Sequence, residues 1–149
     1  MNKSIDDLIS RMKARVFEAI IPTYILDESY HALAWNQAFE NIVAKPIKLE
    51  RGGHITEFLN HCENRREALE RSAKVFALGS IPKTDHELIV FRSPTYGKIE
   101  FQKMAAAVHF KKTDEIAWIV SLNIRSADKF DLLFNDMLWA IEAKIYEAG

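Results

Sequence analysis

Apolar residues recur at three- and four-residue steps from Ser4 to Ile20: Ile5, Leu8, Ile9, Met12, Val16, Phe17 and Ile20. That period predicts a helix. Ser4 is placed to cap it, and Asp6 and Asp7 fall in the first turn, where the helix dipole favours acids. Pro22 ends it. The period then shortens. Thr23 to Leu26 is a run of β-formers, Asp27-Glu28-Ser29 is a polar turn, and His31, Leu33 and Trp35 alternate with Ala32 and Ala34. This is strand, turn, strand: a hairpin. At Asn36 the helical period returns through Phe39, Ile42 and Val43 until Pro46 closes it. A Gly-containing loop follows from Leu49 to Gly53. One or two helical turns are expected over Ile55–Cys62, and a clearer helix over Arg65–Leu78, with Gly79 suited to its C-cap.

The last third is different. Glu87, Ile89 and Phe91 oppose His86, Leu88 and Val90, which predicts a strand with apolar groups on both faces. Ser93-Pro94-Thr95-Tyr96-Gly97 is a turn signal. In the next strand Ile99 and Phe101 have one parity, and Met104, Ala106, Val108 and Phe110 the other. Bringing both sets inside needs an extra residue, so a bulge is expected near Gln102-Lys103. Ile116, Trp118, Val120, Leu122 and Ile124 form the cleanest alternation in the chain. A long helix is predicted from Asp128 to Ala148. The element order predicts an α+β fold. It would have a single antiparallel five-stranded sheet, short helices between strands 2 and 3, and flanking N- and C-terminal helices.

The stretch Tyr24-Ile25-Leu26-Asp27, followed by Ala32-Leu33-Ala34-Trp35-Asn36-Gln37-Ala38-Phe39, resembles the opening of a PAS domain. In that family a hairpin carries an Asp at its turn, and the second strand ends in an Asn that leads into a helix. The usual Gly of the first turn is absent; Ser29-Tyr30 stands there. At the far end Asn123-Ile124-Arg125 takes the place of the Asp-Ile-Thr-like triplet through which PAS domains enter a signalling helix. The resemblance divides the chain into a flanking helix (1–21), a PAS-like body (22–125) and a signalling or dimerisation helix (126–149). Asp27 and Asn36 become structural corner residues, with Asn36 capping the helix that follows it.

By resemblance, a cavity between sheet and helices would be lined by Trp35, Phe39, Phe58, His61, Phe76, Phe91, Phe101, Ala106, Trp118 and Ser121. A packed core would use the same aromatics. Haem-binding relatives place a His near His61. Light-oxygen-voltage relatives keep a flavin-reactive Cys in the region of Cys62. Yet the spacing of His54, His61 and Cys62 fits no common zinc pattern, and Asn60-His61-Cys62-Glu63-Asn64-Arg65 does not reproduce the flavin-binding stretch. The cofactor is therefore unknown, the residues support neither haem nor flavin, and no metal site is expected. No phosphate loop, nucleophile elbow, zinc-protease or dinucleotide fingerprint occurs.

Composition adds little. A net charge of −1 over 149 residues steers the chain toward neither nucleic acid nor an anionic membrane. The one cysteine fits a reducing compartment. No apolar run is long enough to span a bilayer or open a signal peptide. A cytoplasmic module is expected. Phe130, Phe134, Ile141 and Ile145 make a stripe on the last helix that suits a homodimer or an output partner. The expected function is sensory: a small ligand or partner is bound, and the change passes through the terminal helix to a kinase, diguanylate cyclase or transcription regulator. Alternatives are a small isomerase- or dehydratase-like pocket enzyme and a ligand-free dimerisation module.

Overall fold

The computed structural model describes residues 5–7, 21–70, 87–138 and 145–147. Among them six strands form one antiparallel sheet: β1 (Thr23–Leu26), β2 (Ala32–Asn36), β3 (Glu87–Ser93), β4 (Gly97–Phe110), β5 (Glu115–Ala127) and β6 (Ile145–Glu147). Their spatial order is β3-β4-β5-β1-β2-β6. Between β2 and β3 lie α1 (Gln37–Phe39), a π-helical turn (Glu40–Ala44), α2 (Lys45–Ile47) and α3 (Thr56–Leu59). Residues 65–70 are also helical. α4 (Phe130–Leu138) follows β5. Residues 5–7 are helical, and the rest of the expected N-terminal helix lies outside the described residues, as does most of the helix expected over Arg65–Leu78.

The sheet has six strands rather than the five expected, because the chain after α4 does not stay helical. Ile145, expected on the helical stripe, pairs with Asn36, while Tyr146 pairs with Trp35 and Glu147 with Ala34. The physical reason is the edge of β2, whose backbone groups need partners. Ile and Tyr are good β-formers. Tyr146 also donates its hydroxyl to Gln37 Oε1 at 3.1 Å, and the Arg51 guanidinium lies 5.5 Å from its ring centre. The other edge is closed differently. The Asn64 side chain accepts from Val90 N and donates to Leu88 O, and the backbone of Glu63 and His61 bonds Val90 and Arg92. A side-chain amide thus stands in for a peptide group beside β3.

Bulges set which residues face the main core. On β2, Ala34 pairs with Ile25 and Ala32 with Leu26, so Leu33 is the extra residue. The bulge expected near Gln102-Lys103 is absent. β4 runs straight, and the slip falls on β5, where Phe101 pairs with Ile124 and Glu100 with Ser126, leaving Arg125 over. Met104, Ala106, Val108 and Phe110 therefore stay on the outer face, where Phe110 joins Ile5, Ile25, Ala34, Ala117 and Ile119 in a small second core. The main core lies on the inner face, between sheet and helices, and contains Tyr24, Trp35, Phe39, Phe58, Ile89, Phe91, Phe101, Trp118 and Leu122.

Candidate ligand-binding site

Two corners hold the first hairpin against the helices. Asp27 Oδ1 accepts from the backbone N–H of Ser29 and of His31, both at 2.9 Å. The turn needs a left-handed residue, and Tyr30 supplies it with φ 66°. A non-Gly residue is uncommon there; the Tyr30 ring rests edge-on against His54 at 6.0 Å. Asn36 is buried. Its Oδ1 accepts from Phe39 N at 3.0 Å and Thr23 N at 3.1 Å, and its Nδ2 donates to Ile21 O at 2.7 Å. One side chain thus caps α1 and fastens the start of β1.

Behind these corners the interior is a chain of aromatic contacts. Ring centres are 5.1 Å apart for Tyr24–Phe39 and Trp35–Phe39, 5.9 Å for Phe39–Phe58 and 5.3 Å for Phe58–Phe91. The Trp35 indole N–H donates to Glu40 at 2.5 Å. At the β3–β4 end the inner face turns polar. Glu87 and Lys103 stand directly opposite each other and form an ion pair at 2.7 Å, with both side chains largely shielded from solvent. Such a pair needs both partners, since removing one strands a buried charge. Nearby, Cys62 donates its thiol to Phe58 O at 3.8 Å. Burial first, and then the Glu87 charge, pushes the Cys62 thiol up to about 12. Burial also raises Tyr24 well above the ordinary tyrosine range, with Cys62 and Glu87 adding to it. Both groups are therefore uncharged at neutral pH.

Outside this interior, α4 bridges the β3–β4 turn and the π-helical turn. Asp128 N donates to Lys98 O at 2.9 Å, and Lys98 N donates back to Asp128 Oδ2 at the same distance. Gly97, at φ 73°, permits this approach: a Cβ there would stand 2.9 Å from Asp128 Oδ2. Tyr96 donates its hydroxyl to Asp136 Oδ2 at 2.6 Å. Burial, then the hydrogen bond to Asp136 and its charge, holds the Tyr96 hydroxyl well above its usual range. A cleft of about 460 Å³ opens here. On the other flank of α4 an apolar groove of about 210 Å³ runs between the helix and Ile21, Pro22, Leu122 and Ile124.

A solved structure of the PAS domain from Bordetella pertussis BvgS superposes on this arrangement with a TM-score of 0.54, at 11% sequence identity, covering 90% of this chain and 94% of that one. The fold is that of a PAS domain. No protein-family model matches the chain, and no curated protein matches it in sequence.

Within the PAS fold the expected lining residues divide. Trp35, Phe39, Phe58, Phe91, Phe101 and Trp118 are buried and belong to the inner core. His61 does not join them; it is exposed, because the turn after α3 points Cys62 inward in its place. Ala106 and Ser121 lie on the outer face, Ala106 because β4 runs straight and Ser121 because β5 turns Val120 and Leu122 inward. Phe76 and Ile141 fall outside the described residues. Among the described residues no group of three His, Cys, Asp or Glu side chains is placed to hold a metal ion, and no helix is long and apolar enough to cross a membrane. The sequence reading missed Glu87, Lys103, Tyr96 and Asp136. Lys103 keeps the parity of Ile99 and Phe101, which was the available signal for it. Tyr96 and Asp136 are separated by 40 positions and carried none.

Proposed function

We propose that this chain is a sensory module that binds a small molecule or partner and relays its occupancy through α4 to an output such as a kinase, a diguanylate cyclase or a transcription regulator. The observation that carries the reading is the stance of α4 on the PAS body. One flank is locked by the Tyr96–Asp136 hydrogen bond, and the other presents Phe130 and Phe134, each about half exposed, with rings stacked at 5.9 Å. With one breakable polar lock and one half-exposed apolar face, the helix is proposed to exchange between two arrangements. A ligand that binds one of them better shifts the balance. We place the receiving part in the 22–125 body and the relay in the segment after it, with the module acting as a non-catalytic homodimer in the cytoplasm.

Native mass spectrometry on freshly purified protein, repeated after denaturation, tests this. A dimer carrying extra mass that leaves on denaturation supports the reading, and the mass begins to identify the ligand. A bare monomer that no small molecule or partner stabilises overturns it.

A further inference from the structure

The cleft beside α4 is lined by Asn41, Lys45, Pro46, Thr95, Tyr96 and Asp136. Its volume, about 460 Å³, falls within the usual range for small-molecule pockets. Its polar groups sort by sign. Asn41 and Lys45 stand one helical turn apart on the π-helical turn and α2, so they neighbour each other. Gln37 Nε2 donates to Asn41 Oδ1 at 2.8 Å, which engages the amide oxygen and leaves the Asn41 amide hydrogens as donors. Lys45 adds an ammonium that is exposed and in no ion pair among the described residues. The wall made by the β3–β4 turn and α4 is the reverse. Tyr96, which lines the cleft, has given its only hydroxyl proton to Asp136 Oδ2, so its Oη is left as an acceptor. Asp136 Oδ1 is a second acceptor, and Asp136 has no cationic partner among the described residues.

One wall donates and is positive; the other accepts and is negative. We propose that this cleft binds a small zwitterion of the α-amino-acid class, its carboxylate on Asn41 and Lys45 and its ammonium on Tyr96 Oη and Asp136. The proposal rests on the sensing reading above and names its ligand class and place. Both charges of the ligand find hydrogen-bonded partners of opposite sign, which is what a charge leaving water requires. A direct Lys45–Asp136 pair across the cleft would be solvated and worth little, so it competes weakly. A bound zwitterion would also bridge α4 to the PAS body and so favour the docked arrangement of the helix.

The test uses the full chain. Thermal melts are recorded with each common L-amino acid at millimolar concentration. Any that raises Tm saturably is titrated calorimetrically beside its N-acetyl and carboxamide derivatives. The expected result is at least one binder, weakened about tenfold or more by either blocking group and by either Lys45→Met or Asp136→Asn. Lys45 is exposed, so its replacement leaves folding intact, and Asp136→Asn keeps an acceptor for Tyr96. The proposal is overturned if no amino acid alters the melt, if binding survives both variants, or if a derivative lacking one charge binds equally well. Extra mass in the native spectrum of a protein that no amino acid stabilises would sink the zwitterion and leave the sensing reading standing.

Discussion

The two flanks of α4 are built by opposite means. On one, polar groups do the holding: Tyr96 reaches Asp136, and the turn at Gly97 exchanges backbone and side-chain hydrogen bonds with Asp128. On the other, Phe130 and Phe134 are left about half exposed over an apolar groove. Between them Leu133 is fully buried in the main core. Polar locks are directional and depend on protonation, and they are weak in net terms because water competes for each group. Apolar surface is indifferent to pH and gains only when something covers it. The helix therefore carries a lock that chemistry can open and a face that another surface can take up.

Removing what lies between the flanks should have the largest effect. Leu133→Ala deletes a fully buried side chain, and such truncations cost about 2–5 kcal/mol. Denaturant unfolding should show a fall in that range. A loss below about 1 kcal/mol would mean that α4 is seated by its flanks alone.

Opening the polar lock should cost less. Tyr96→Phe keeps the ring and removes one hydrogen bond to a carboxylate, for which about 1–2 kcal/mol is expected. The same lock predicts a pH dependence. The Tyr96 hydroxyl is held above its ordinary value of 10.0, so the folded state keeps its proton longer than the unfolded state does. The associated stability is complete below that value and is lost as the pH climbs above it. Tyr24 and Cys62 are raised too and act in the same direction. Melts of the parent should therefore fall on the alkaline side, and those of Tyr96→Phe should fall less. Parallel curves for the two proteins would show that the lock does not titrate.

How far these flanks could be read in advance depends on distance along the chain. The hairpin and its corners were legible because their chemistry is local: Asp27 serves Ser29 and His31, and Asn36 serves Phe39. Tyr30 at positive φ shows how the missing Gly is tolerated. In β4 apolar residues on both faces give two parities and so suggest a bulge there, whereas the extra residue lies on β5. The same ambiguity hides Lys103, which pairs with Glu87 across the sheet. The sequence of β6 continues a helical stripe, because the edge of β2 that recruits it is more than 100 residues away in the chain. The cleft was illegible for the same reason: its residues come from a π-helical turn, a hairpin turn and α4, and only folding brings Asn41, Tyr96 and Asp136 together.

The apolar flank gives the smallest expected change in stability and the clearest contrast with the polar one. Phe134 is 49% exposed, and its ring stacks on Phe130 beside the apolar groove. Phe134→Glu gives up about half of a phenylalanine's burial but replaces Phe with a better helix former, so the unfolding free energy should fall by about 1 kcal/mol or less. The assembly state should not stay the same. A carboxylate placed in an apolar contact must be desolvated without a partner, so if the proposed homodimer forms through this face, light scattering after gel filtration should show it giving way to monomer. Tyr96→Phe, on the opposite flank, should leave that equilibrium alone. If Phe134→Glu instead destabilises the fold as much as Tyr96→Phe does, the phenylalanine pair is part of the helix's own seat, and the two flanks differ in chemistry without differing in role.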